Sequence, residues 1–156
     1  MELKPTGTED WVATRAMIDC GGQGSFINEK FSHYHRLPSR IKTHPVSLVL
    51  ADGSQSQAGN ITQYNPLSLR TAGNEEPLSL DVAPMTHDVI LGMPWLRKHD
   101  PAIRFGRRTL TFDSPFCEQH CGHYGETLPL HISPHTPKVG DDLGEEKIQE
   151  RDAETA

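Results

Sequence analysis

Between Trp11 and Leu96 the chain alternates short apolar stretches with turn-forming residues. "WVATRAMID" (11–19), "PVSLVLADG" (45–53), "ITQYNPLSLR" (61–70), "EPLSLDVAP" (76–84) and "HDVILGMPWL" (87–96) are each too short for a long amphipathic helix and are bounded by Gly, Pro, Asn or Asp. That pattern predicts a domain made mostly of short strands. The Gly-, Ser-, Gln- and Asn-rich "ADGSQSQAGN" (51–60) reads as a mobile hairpin tip, and "AGNEE" (72–76) as the turn of a second hairpin. Two short helices are expected. One covers "NEKFSHYHR" (28–36), where Asn28 is placed to cap; the other covers "MPWLRKHD" (93–100), where Pro94 suits a first turn.

The pattern changes near residue 114. From Ser133 to Ala156 the chain is acidic, poor in apolar residues and interrupted by Pro and Gly, so burial there does not offset chain entropy and a disordered tail or linker is expected. The resulting organisation is an N-terminal arm (1–10), one folded domain (11–113), a Cys/His-containing connector (114–132) and the tail (133–156). With 156 residues and 35% hydrophobic content, one modest core is what the chain can bury.

Charge narrows the partners. A formal net charge of -6 and no basic stripe argue against nucleic acid. No apolar run reaches bilayer length, and the first twenty residues lack the apolar segment of a signal peptide, so a soluble, cytoplasmic or otherwise intracellular protein is expected, with no membrane partner. Three cysteines, Cys20, Cys117 and Cys121, fit a reducing compartment better than a disulfide scaffold.

One carboxylate stands out. In "AMIDCGGQGSFI" (16–27) Asp19 ends an apolar strand and precedes small residues that let backbones approach closely. A carboxylate beside an apolar strand needs compensation. A plain turn-forming role answers that need, because Asp before Gly commonly caps its own backbone.

Several pieces in order give a second answer. Asp19-Cys20-Gly21-Gly22, then "SFI", then "LADGS" (50–54), then "DVILGMPWL" (88–96), then "PAIRFGRRTLTF" (101–112) together resemble the retropepsin-like aspartic proteases of gypsy-type long-terminal-repeat retrotransposons over about residues 11–113. The resemblance implies an all-β, retropepsin-like acid-protease barrel with a flap hairpin and one or two short helices. It implies a homodimeric aspartic endopeptidase that processes a retroelement polyprotein, acting on extended peptide, with no cofactor. Each subunit would bring one Asp19, and the pair would share a proton while activating water at the peptide bond. Gly21 and Gly22 would complete the active-site turn with Cys20. Asp52, Gly53, Ser54, Gln55 and Ser56 would belong to the flap, and Ile90, Leu91 and Gly92 would support the aspartate loop.

The family places Ser or Thr after the aspartate, and its hydroxyl grips the opposing loop; Cys20 offers only a weak S–H donor. Hence the alternative: a catalytically weak or inactive protease-fold module for dimerisation or peptide binding, derived from a retrotransposon.

"FCEQHCGHYG" (116–125) holds Cys117, His120, Cys121 and His123, the atom types zinc takes. The spacing argues against a metal, because adjacent His120 and Cys121 seldom both reach one ion and no C-x2-C pair is present. The expectation is a loop with reduced thiols and solvated histidines. His33, His35, His44, His87 and His99 are scattered and read mostly as surface groups, His131 and His135 are too loosely placed to matter, and Trp95 reads as core. A metal-dependent nucleic-acid binder is a third class, opposed by the acidic charge.

Overall fold

A computed structural model describes residues 1–49 and 53–131. The expected tail at 133–156, His135 and Asp52 lie outside the described residues.

The fold is all-β, a curled sheet with short helices against it. Its centre is the hairpin of β6 (Gln55–Thr71) and β7 (Asn74–Ala83). Ala72 and Gly73 close it as a two-residue turn between paired Thr71 and Asn74, with φ of 46° and 87°. Two successive positive φ values match the right-handed twist of the strands they join, which is why "AGN" makes a turn here. Alternate residues face the core: Leu67 and Leu69 on β6, Leu80 on β7. β1 (Glu2–Pro5) pairs with β6 so that Leu3 faces Leu69, both fully buried, and β2 (Val12–Ala13) pairs with β1. Residues at the start of the chain are therefore part of the main sheet.

β5 (Arg40–Val49) pairs with the first half of β6 and projects away from this core. Ile41, Val46 and Val49 are exposed along it. The sequence pattern expects the tip of this hairpin over 51–60, but β6 already begins at Gln55, so the tip is confined to the residues before it.

Three short strands place the aspartate. β3 (Ala16–Ile18) and β4 (Phe26–Asn28) are consecutive in the chain, yet β8 (Val89–Leu91) lies between them, parallel to β3 and antiparallel to β4. β4 also runs parallel to β7. The connection 19–25 must therefore arc over the end of β8, at the point where Leu91 hands over to Gly92.

Both expected helices form. α1 (Glu29–Tyr34) is capped by Asn28, whose Oδ1 accepts from the N–H of Lys30 at 2.7 Å and of Phe31 at 3.3 Å. α2 (Met93–His99) has Pro94 in its first turn and ends at Asp100 in the left-handed region, φ 42°. Trp95 is buried, edge-on to Phe112, as its apolar position implies.

Beyond residue 113 the structure departs from the expected loop. Ser114 caps α3 (Pro115–His120), its Oγ accepting from the Cys117 N–H at 3.2 Å, and β11 (Thr127–Pro129) joins β9 (Ala102–Arg104) and β10 (Thr109–Thr111) in a three-stranded sheet ordered β11-β10-β9. Cys117, His123 and His99 are buried. The cause is packing: Leu110, Phe112 and Cys117 belong to the core, with Phe116, Cys121, Leu128 and Leu130 against it. Among the described residues, no helix is long and apolar enough to cross a membrane.

Candidate functional site

The Asp19 loop is built by backbone contacts. The Asp19 N–H donates to the Leu91 carbonyl at 2.9 Å, extending the β3–β8 pairing by one step. The Gly21 N–H donates to Asp19 Oδ1 at 3.1 Å and the Gly22 N–H to the Asp19 carbonyl at 3.1 Å. The turn-forming role is thus real, and it fixes the carboxylate's direction. Beneath the loop, the Met93 N–H donates to the Gly22 carbonyl at 2.8 Å and the Gly92 N–H to Ser25 Oγ at 3.1 Å. A Cβ on Gly92 would overlap the Gly24 carbonyl oxygen, so only glycine lets the two loops touch. Val89 and Leu91 are buried and Ile90 half-buried, while Cys20 and Gly21 are exposed.

Among the described residues, no hydrogen bond or ion pair joins Asp19 to a second carboxylate. Among the described residues its side chain bonds only to the Gly21 N–H and pairs with no cation. Asp88 sits elsewhere, accepting from Thr14 Oγ1 at 3.3 Å. Of the expected flap residues, Gly53, Ser54 and Gln55 are exposed at the β5–β6 tip and Ser56 lies within β6.

A second constellation joins α2 to α3. His99 Nδ1, Cys117 Sγ, Cys121 Sγ and a ring nitrogen of His123 lie within 4.8 Å of one another. Cys117 Sγ is 3.5 Å from His99 Nδ1 and 3.4 Å from His123 Nε2; Cys121 Sγ is 3.6 Å from His99 Nδ1. The outer ring nitrogens have partners of their own. His99 Nε2 lies 2.7 Å from Glu76 Oε2 in a short contact that is not an aligned hydrogen bond, and His123 Nδ1 lies 3.3 Å from the Thr71 carbonyl. Buried Glu76 also accepts from Asn74 Nδ2 at 3.0 Å and from Lys98 at 3.5 Å, and Asn74 Oδ1 takes the Gly122 N–H at 3.0 Å.

Electrostatics follow the packing. Burial works to raise the Glu76 carboxyl, but His99 and Lys98 outweigh it and hold it below the ordinary carboxylate range. Burial, then the adjacent Cys117 thiol, pushes Cys121 up to about 12. Burial, reinforced by His99, lowers His123.

A profile of the PEG10/RTL1 protease domain matches residues 15–121. The chain belongs to that family. A crystal structure of the retroviral protease-like domain of Ddi1 from Leishmania major is similar at 18% identity, with a TM-score of 0.45, covering 85% of this chain and 95% of that one. Within the PEG10/RTL1 protease family match lie Asp19, the Gly92 seat, and three of the four clustered ligand-type residues: His99, Cys117 and Cys121. His123 follows two residues after the matched span.

Sequence reasoning proposed His120 for the second cluster where the structure brings in His99. His120 is exposed and lies tilted against Phe116, ring centroids 5.0 Å apart. A signal for His99 was present: it falls four residues after Trp95, on the buried face of α2.

Proposed function

We propose that this chain is one subunit of a homodimeric retropepsin-fold module, of gypsy-type retroelement descent, that binds extended peptides and turns them over weakly or not at all. The observation that carries the reading is the Asp19 carboxylate, joined to no second carboxylate among the described residues, beside an exposed Cys20. Water activation in aspartic proteases needs two carboxylates around one proton, so a chain with one such loop works only as half a site and a second copy must supply the other half. Cys20 then stands where the loops of the two copies would grip each other, and its S–H is a poorer donor than a hydroxyl. The projecting β5–β6 hairpin, with apolar residues on its exposed faces, supports peptide binding by strand addition beneath a closing flap.

A second reading, an aspartic endopeptidase that processes a retroelement polyprotein, is favoured by the Asp19 backbone seat, which needs only a symmetry mate to pair carboxylates. One experiment separates the two. The dimer is followed by sedimentation while an unstructured protein is offered as substrate and peptide binding is measured in parallel, with unmodified chain and with Asp19→Asn. Binding with background cleavage in both proteins fits the module. Cleavage by the unmodified chain that disappears in Asp19→Asn, with Asp88→Asn still active, establishes the peptidase instead. A monomer at all concentrations that binds no peptide overturns both.

A further inference from the structure

We propose that His99, Cys117, Cys121 and His123 form a closed structural zinc site that fastens α2, α3 and the 121–125 turn to the β6–β7 hairpin. Three of the six ligand-to-ligand separations are those of a coordination shell, and all six lie within 4.8 Å. Zn–S bonds of about 2.3 Å and Zn–N bonds of about 2.0–2.1 Å at a tetrahedral angle put sulfur and nitrogen ligands about 3.5 Å apart. The sulfur-to-nitrogen separations in the structure are 3.5, 3.4 and 3.6 Å.

The ring orientations agree. A zinc-bound histidine turns one nitrogen to the ion and its other N–H to a carboxylate or carbonyl. His99 presents Nδ1 inward with Glu76 at its Nε2, and His123 presents Nε2 inward with the Thr71 carbonyl at its Nδ1. Cys117 and Cys121 are four residues apart, so α3 and its C-cap carry both sulfurs on one face. Charge balances as well: two thiolates neutralise Zn²⁺, while Glu76 is matched by Lys98. Two sulfurs and two imidazoles select zinc over the oxygen-seeking cations. Four protein ligands leave no open position, so the ion supplies structure rather than hydrolysis. On binding, each thiol gives its proton to solvent and its sulfur lone pair to the metal.

The turn is shaped for the same purpose. A Cβ on Gly122 would stand 2.7 Å from the Gly73 carbonyl oxygen, so glycine lets the Cys121–His123 segment sit directly on the hairpin turn.

The test uses the full chain. Purified without chelator, it should carry one zinc per chain by elemental analysis. Stripped and titrated with Co²⁺, it should show tetrahedral d–d bands together with a sulfur-to-cobalt charge-transfer band. Glu76→Gln keeps every ligand and should weaken zinc about 10–100-fold in competition with a chromogenic chelator. Cys121→Ser should lose stoichiometric metal and His120→Ala should keep it. If Cys121→Ser fails to fold, the cobalt spectrum of the unmodified chain decides alone. An unmodified chain that binds neither zinc nor cobalt, a cobalt spectrum without thiolate bands, or a Cys117–Cys121 disulfide that persists in excess reductant overturns the proposal.

Discussion

Gly92 lies against Gly24 so closely that a β-carbon on Gly92 would overlap the Gly24 carbonyl oxygen and stand 2.8 Å from that of Gly22. Both obstacles are backbone, so neither can swing aside. Gly92→Ala should therefore destabilise the fold by about 1–3 kcal/mol, the usual range for overpacking, and displace the Asp19 loop. Urea denaturation reads the first effect and loss of peptide binding the second.

Gly22→Ala should behave differently. Its β-carbon would stand 2.8 Å from Asp19 Oδ2, the free end of a side chain that can rotate. Stability should fall by about 1 kcal/mol, the worth of the Gly21 hydrogen bond that the carboxylate gives up as it turns. A spectrum with carboxylate-selective labelling should show a shifted Asp19 signal in an otherwise unchanged fold.

Cys20→Ser replaces an exposed weak donor by a hydroxyl of similar size. The single chain should unfold at the same urea concentration. The dimer should tighten by roughly 1 kcal/mol, about fivefold in its dissociation constant, if the side chain grips a symmetry-related loop. Sedimentation equilibrium measures it, and an unchanged constant removes Cys20 from that contact.

Asn65 is fully buried and joins α1 to the segment before β5: its Nδ2 donates to Ser32 Oγ at 2.6 Å on α1, and its Oδ1 accepts from Ser39 Oγ at 2.8 Å. Asn65→Ala leaves the buried Ser32 hydroxyl without this partner and opens a hole, at a cost of about 1–3 kcal/mol. Ser39→Ala, at an exposed position, should cost under about 1 kcal/mol. Denaturant melts of the two variants rank them.

Much of this architecture is legible locally. Asn28 and Pro94 announce their helices because caps act within one turn, and "AGN" announces its hairpin because two positive φ values favour few residues. The Asp19 loop is legible through residue order, since "DCGG" and "ILG" must meet if the chain folds as the resemblance implies. The Cys/His cluster is less so. Cys117, Cys121 and His123 are adjacent in sequence, but His99 reaches them only because the β9–β10 hairpin folds the chain back between α2 and α3. Spacing along α3 favours His120, and burial favours His99; burial decides, because an ion site needs inward-facing donors. β1 is equally silent, since Leu3 is a single buried apolar residue whose role depends on β6, far along the chain.

The strand order around Asp19 also sets a timetable for synthesis. Ala16 to Ile18 pair with Val89 to Leu91, so the loop between β3 and β4 has no seat until a segment some seventy residues later has left the ribosome. A nascent chain carries its aspartate early and the seat for its loop late. Until β8 slips between β3 and β4, Asp19 is an ordinary residue on an unfolded segment. The same topology that lets two backbones touch at Gly92 thereby keeps the Asp19 loop unseated while its own chain is still being made.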